Sequence, residues 1–291
     1  MMNPESDNLM NRKSVLNWSR HDPESRLGAS GKGPLSVGMV VTGLLAIVAT
    51  LLTYVVFYFL SDYYLAQMML DRGPTQHACV LFGFWAFFIL VLKRYKLRLQ
   101  RAPLQFPLTS DRPSFVLTSK TVDEVTSKIY EVAIDPERFI VFNRILIALS
   151  SLKNLGRVSD IDEILRSVGE KDESSMETSF AQLNGFLCAI PVLGFIGTVL
   201  GLSQSLSNFG SLLDDSNDVG GIVSSLKQIT GGLSTAFETT LVALVIALVL
   251  QLMMTAQKQN EEEFLDQVSD YCLRQITSRI RILPLEEERE A

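Results

Sequence analysis

The chain alternates between long apolar blocks, with little or no charge, and polar stretches. Four blocks stand out: Leu35 to Leu60, Ala78 to Leu92, Leu183 to Leu206 and Leu233 to Ala256. The first runs 26 residues without a charge and, as a helix, would span about 39 Å. The second has 15 residues, short for a crossing unless flanking residues and the Lys93 stem extend it. The first block starts late and is too long for a cleaved leader, with no clear small-residue cleavage site behind it. Between the second and third blocks, apolar residues return at helical spacing. Val122, Val125, Ile129 and Val132 line a helix over Thr121 to Ala133, with Thr121 or Asp123 to cap it. A second helix starts at Pro136, carries Phe139, Phe142, Ile145, Leu146, Leu149 and Leu152, and ends near Gly156. A third starts near Asp160 with Ile161, Ile164, Leu165 and Val168, and runs on through the acidic 170–179 stretch into the third block. After the last block, Phe264, Leu265, Val268, Tyr271, Cys272 and Gln275 keep the same spacing. No strand alternation competes with these patterns.

The predicted fold is therefore an all-α membrane protein: four transmembrane helices, with long helices extending into a small helical cytoplasmic region. Its segments are a flexible cytoplasmic N-terminal arm (1–34), a first crossing (35–60), a periplasmic link (61–77) and a second crossing (78–92). There follow a cytoplasmic helical region (93–182), a third crossing (183–206), a second periplasmic link (207–232), a fourth crossing (233–256) and a cytoplasmic C-terminal helix and tail (257–291). A mean hydropathy of +0.22 and 47% hydrophobic residues agree with an integral membrane protein. Lys and Arg set the orientation. They gather before the first block (Arg12, Lys13, Arg20, Arg26, Lys32), after the second (Lys93, Arg94, Lys96, Arg98, Arg101) and after the fourth (Lys258, Arg274, Arg279, Arg281). The two links hold only Arg72 and Lys227. Both termini are thus expected in the cytoplasm, since the positive clusters stay inside. A net charge of −6 argues against nucleic acid as a partner. Cys79, Cys188 and Cys272 are too scattered for a disulfide or zinc framework, and His21 and His77 are the sole histidines. No metal site and no cofactor are expected, and the crossings hold no Ser/His, HExxH or paired-Asp arrangement for catalysis.

The last two blocks are unlike plain anchors. No acidic or basic residue lies between Glu177 and Asp214, and Glu238 is the single one between Lys227 and Lys258. Yet the third block carries Gly194, Gly197 and Gly201, with Gly197 and Gly201 spaced as GxxxG, and Pro191, which removes a backbone donor. Thr198 follows Gly197. The fourth block adds Ser234, Thr235, Thr239 and Thr240 around Glu238. Each has a bland reading: the glycines as ordinary helix packing, Thr198 bonded back to its own helix, Glu238 snorkelling or paired with Lys227. The sharper reading places the hydroxyls and Glu238 against an aqueous path or an assembly interior.

Context favours the sharper reading. Ile190-Pro191-Val192-Leu193-Gly194-Phe195-Ile196-Gly197-Thr198-Val199-Leu200-Gly201 resembles the A-P-x-L-G-L-L-G-T-V-x-G signature of the MotA/TolQ/ExbB proton-channel family. Leu233-Ser234-Thr235-Ala236-Phe237-Glu238-Thr239-Thr240-Leu241-Val242-Ala243-Leu244 resembles its companion, I-S-x-A-L-x-x-T-A-x-G-L. The likeness covers about 183–257. Departures are Ile190 for the usual Ala, Ala243 for a Gly, and an acid at Glu238 where relatives often carry one at the position of Thr235. The resemblance implies a bacterial inner-membrane, non-enzymatic proton-channel subunit that couples proton motive force to mechanical work. It implies a homopentamer around a dimer of a single-span ExbD/TolR/MotB-like protein bearing a membrane Asp, all among membrane lipids. Thr198 and Thr240 would line the pore, with Thr239, Thr235 and Glu238 beside them. A flagellar stator would be one sub-case. The rival is a scaffold that assembles through the small-residue faces and conducts nothing.

Overall fold

The computed structural model describes residues 16–18, 24, 34–70, 73–108, 121–155, 158–215 and 219–279. Those residues are helical almost throughout. The helices are α1 (Met39–Phe59), α2 (Tyr64–Leu70), α3 (Pro74–Arg101), α4 (Val122–Val132), α5 (Ile140–Leu155), α6 (Val158–Asp215) and α7 (Val219–Gln275). Among the described residues the one β-type pairing is a parallel bridge from Leu16 to Ala133. Four helical stretches are long and apolar enough to cross a membrane, so the protein is an all-α membrane protein with four membrane helices.

The chain divides into two compact units. A polar unit comprises 1–37, 93–179 and 258–291, and a membrane unit comprises 38–92 and 180–257.

In the polar unit, α4 and α5 bury the stripes their spacing predicts. Val122, Val125, Ile129, Phe139, Phe142, Ile145, Leu149 and Leu152 are buried, as are Phe264, Leu265, Val268 and Cys272 of α7. Val132 and Leu146 are only half-buried. Thr121 takes the N-cap of α4 without a side-chain bond, and Asp123 and Glu124 occupy the first turn, where the helix dipole favours acids. Pro136 opens a short 3-10 turn rather than the helix itself, and α5 begins at Ile140. Gly156 and the side chain of Asp160 lie outside the described residues.

Parts of the N-terminal segment depart from a flexible arm. Leu16 N–H donates to Val132 O at 2.9 Å, and Ile134 N–H donates to Leu16 O at 3.2 Å. Trp18 is buried edge-on against Phe139, with ring centroids 5.4 Å apart. Composition misled here because Leu16 and Trp18 sit in a largely polar stretch, and only their tertiary contacts reveal their use.

Cations read from sequence as orientation signals are structural in this unit. Lys93, at 1% exposure, donates to Glu261 at 3.0 Å, Ser179 Oγ at 2.9 Å and Leu35 O at 3.3 Å. Lys96 pairs with Glu24 and donates to Ser36 O. The first apolar block accordingly splits. Leu35 to Val37 belong to the polar unit, and the helix starts at Met39.

In the membrane unit, the short second block gains its length from its neighbours, because α3 spans 28 residues from Pro74 to Arg101. Trp85 packs on Gly43 of α1 and donates Nε1–H to Thr42 Oγ1 at 3.1 Å. Phe82 and Trp85 meet Phe186 of α6. The segment read as a 207–232 link is mostly helix: α6 continues to Asp215 and α7 begins at Val219. The expected third helix of the 93–182 region is the first part of α6, which runs without a break through Pro191.

Candidate functional site

Small residues set how closely α6 and α7 approach. A Cβ built on Gly194 would lie 2.5 Å from Ala243 Cβ. One on Gly197 would lie 2.7 Å from Thr239 Cγ2 and 2.9 Å from Thr75 Oγ1, and one on Gly201 would lie 3.1 Å from Ala236 Cβ. The paired numbers rise on one helix and fall on the other, so the two run antiparallel. Any side chain at Gly194 or Gly197 would push the backbones apart. The GxxxG pair therefore faces a helix of its own chain. Ala243 is tolerated at this close approach because Gly194 opposes it. Pro191 lies in α6 one turn before Gly194 and leaves the Leu187 carbonyl without its usual helical donor.

The close approach brings two hydroxyls together. Thr198 Oγ1 lies within hydrogen-bonding distance of Thr240 Oγ1. Thr240 Oγ1 donates to Gly194 O at 2.9 Å. Thr198 Oγ1 also stands 3.2 Å from Ala236 O on α7 and 3.3 Å from Gly194 O on its own helix. A hydroxyl has one hydrogen to give. With Thr240 donating to Gly194 O, its lone pairs are open to Thr198, and a short chain Thr198 to Thr240 to Gly194 O bridges the helices. Both residues are half-buried. Back-bonding within one helix, the bland reading for Thr198, is present but is one contact among several. Thr239 is buried at 3% and turns its methyl to Gly197. The side chain of Thr235 lies outside the described residues.

Glu238 has partners that sequence reasoning missed. Its Oε1 accepts from Tyr64 Oη at 2.8 Å and from Ser234 Oγ at 2.9 Å. Tyr64 opens α2, the short helix between α1 and α3. The half-buried carboxylate thus ties α7 to the α1–α3 connection, where pairing with Lys227 was the bland expectation. An interfacial tyrosine is an ordinary membrane feature, so nothing in the sequence marked Tyr64 as the partner 174 positions away. Thr75 at the start of α3 was missed for the same reason, and it stands beside Gly197.

Away from this seam, both helices present apolar side chains outward. Phe195, Val199, Leu200, Phe237, Leu241, Leu244, Leu248 and Leu252 are all exposed. This is a multi-pass membrane protein whose last two membrane helices are bridged by paired threonines. Residues 137–270, just under half of the chain, match the model of the MotA/TolQ/ExbB proton channel family. The matched span includes both glycine–threonine signature segments, all of α5, and most of α7 up to residue 270. Searches of curated proteins and of solved structures find no match.

Proposed function

We propose that this chain is the proton-conducting subunit of an ion-driven membrane motor, working as a homopentamer around a dimer of a single-span protein with a membrane Asp. The Thr198–Thr240 bridge carries this reading. It lies in the two signature helices, in the segment matched to the proton channel family. The chemistry is suitable. A hydroxyl accepts from a carboxylic acid and donates to a carboxylate, so it serves both states of a partner's Asp without trapping either. While Thr240 donates to Gly194 O, the free lone pairs of the bridge favour a protonated carboxyl. Turning the hydroxyl from the carbonyl to the partner then favours the ionised form. Proton flow would move the pentamer relative to the partner. The protein would sit in a bacterial inner membrane with both termini cytoplasmic, its exposed apolar faces meeting lipid and neighbouring copies.

Proton uptake should be measured in vesicles holding this chain and the short single-span membrane protein encoded beside it. Thr198→Val and Thr240→Val should each reduce uptake by about tenfold or more, a loss of about 1.4 kcal/mol in the path. Uptake unchanged in both variants would overturn the residue assignment.

A second reading, a non-conducting scaffold, draws on the same bonds, because hydroxyl-to-carbonyl contacts also hold helices together. It predicts that Thr240→Val is silent in function while Gly197→Leu is not. A motility defect on deletion would single out the flagellar-stator sub-case.

A further inference from the structure

The cations at the end of α3 are of two kinds. Residues 93–101 hold Lys93, Arg94, Lys96, Arg98 and Arg101, and α3 holds no acid. Lys93 and Lys96 are buried in ion pairs with Glu261 and Glu24, and Arg101 pairs with Glu263. Arg94 and Arg98 are exposed, and among the described residues neither forms an ion pair. The helical repeat separates the two kinds. Lys93, Lys96, Leu97 and Gln100 share one side of α3 and are buried, whereas Arg94, Tyr95 and Arg98 share the opposite side and are exposed.

The exposed stripe continues back along the helix through Val91 and Phe87, so apolar side chains give way to Tyr95 and two arginines within two turns. Arg94 lies about 20 residues beyond Pro74, the start of α3, or roughly 30 Å of helix, which is the thickness of a bilayer's hydrocarbon core. With Pro74 at one interface, the arginines stand at headgroup depth on the other. Tyr95 suits that level, its ring in the acyl boundary and its hydroxyl in water. Arg94 and Arg98 are one turn apart, with Cβ atoms about 5–6 Å from each other, so both guanidiniums reach a single phosphate. Each can offer it two parallel N–H donors. A water-soluble anion would meet the arginines and leave the apolar stripe beneath them bare. A phospholipid covers both, with its phosphate on the arginines and its acyl chains on Val91 and Phe87.

We propose that Arg94, Tyr95 and Arg98 form a binding site for the headgroup of an anionic phospholipid. The site is separate from the threonine bridge, and its test does not depend on proton conduction. Native mass spectrometry of the full-length chain, released from detergent micelles doped with phosphatidylglycerol or phosphatidylcholine, measures the affinity for each lipid. Phosphatidylglycerol should bind at least ~10-fold more tightly than phosphatidylcholine. Arg94→Gln with Arg98→Gln should weaken phosphatidylglycerol by about tenfold or more, near fivefold for each cation removed, and leave phosphatidylcholine unchanged. Arg94→Lys with Arg98→Lys keeps the charge and should stay within about threefold of the native chain. Arg166→Gln, at an exposed arginine paired with Glu170, should have no effect. All these positions are exposed, and circular dichroism checks that helical content is kept. Equal binding of the two lipids, or phosphatidylglycerol binding unchanged in the Gln double variant, would overturn the proposal. So would displacement of the lipid by inorganic phosphate at ~10 mM, which would make a soluble anion the ligand. A changed oligomeric mass in the Gln double variant with lipid binding kept would give this face to a second copy and overturn it too.

Discussion

Lys93 shows how far a residue's role depends on what lies across from it. From sequence it marks the inner end of a membrane helix, and at 1% exposure it is instead the centre of a buried ion pair with Glu261. Such a pair adds little net stability, because desolvation offsets attraction, but removing one partner leaves a buried charge unmet. Lys93→Met should therefore destabilise the protein by roughly 3–5 kcal/mol, and Lys93→Met with Glu261→Leu should recover most of that loss. Unfolding followed by circular dichroism in detergent measures both, and equal losses in the single and double variants would refute the pairing. Thr240→Val has a smaller structural consequence. It removes interhelical hydrogen bonds worth roughly 0.6–1.7 kcal/mol in membrane proteins, so a large loss of proton uptake in a variant that still unfolds near the native temperature would separate conduction from packing.

Among the helices, glycines of the same sequence environment have opposite roles. Gly194 faces Ala243 across the α6–α7 seam, with a virtual Cβ 2.5 Å from its neighbour, whereas Gly185 has nothing within 4 Å. Gly194→Ala should cost roughly 1–3 kcal/mol through overpacking, and Ala243→Gly in the same chain should relieve most of it. Gly185→Ala should be neutral or stabilising by about 0.5–1 kcal/mol, as helix propensity favours Ala. The comparison is read in one unfolding series, and an equal effect at the two sites would mean that the seam is not closely packed. α2 is the element whose use was least visible. Seven residues long, it carries Tyr64 to Glu238, so Tyr64→Phe should loosen that connection and raise hydrogen exchange in α2.

For the whole molecule, the positive residues predict a topology that labelling can check. In a chain whose native cysteines are replaced, Tyr63→Cys in the first link should react with a membrane-impermeant maleimide from the periplasmic side. Glu131→Cys in the polar unit should react only after permeabilisation. Both positions are exposed, so access depends on the side of the membrane, and the reverse labelling would invert the orientation. The third and fourth membrane helices were legible from sequence because long apolar runs with at most one charge are stable only in hydrocarbon or a deep core. The hydroxyls Thr198 and Thr240 were legible because their spacing resembles a family signature.

What the sequence determined by itself was local: helical periodicity, the apolar blocks, the cations at their ends and the glycine–threonine pattern of two helices. Those features follow from the repeat of the helix and the cost of charge in a bilayer, which act over a few turns. Only the tertiary structure decided which residues far apart in the chain meet. It paired Thr198 with Thr240, Glu238 with Tyr64, Lys93 with Glu261 and Trp18 with Phe139. The physical reason is that hydrogen bonds and ion pairs are satisfied by whichever group packing brings within about 3 Å, and that distance carries no trace in the local pattern of residues.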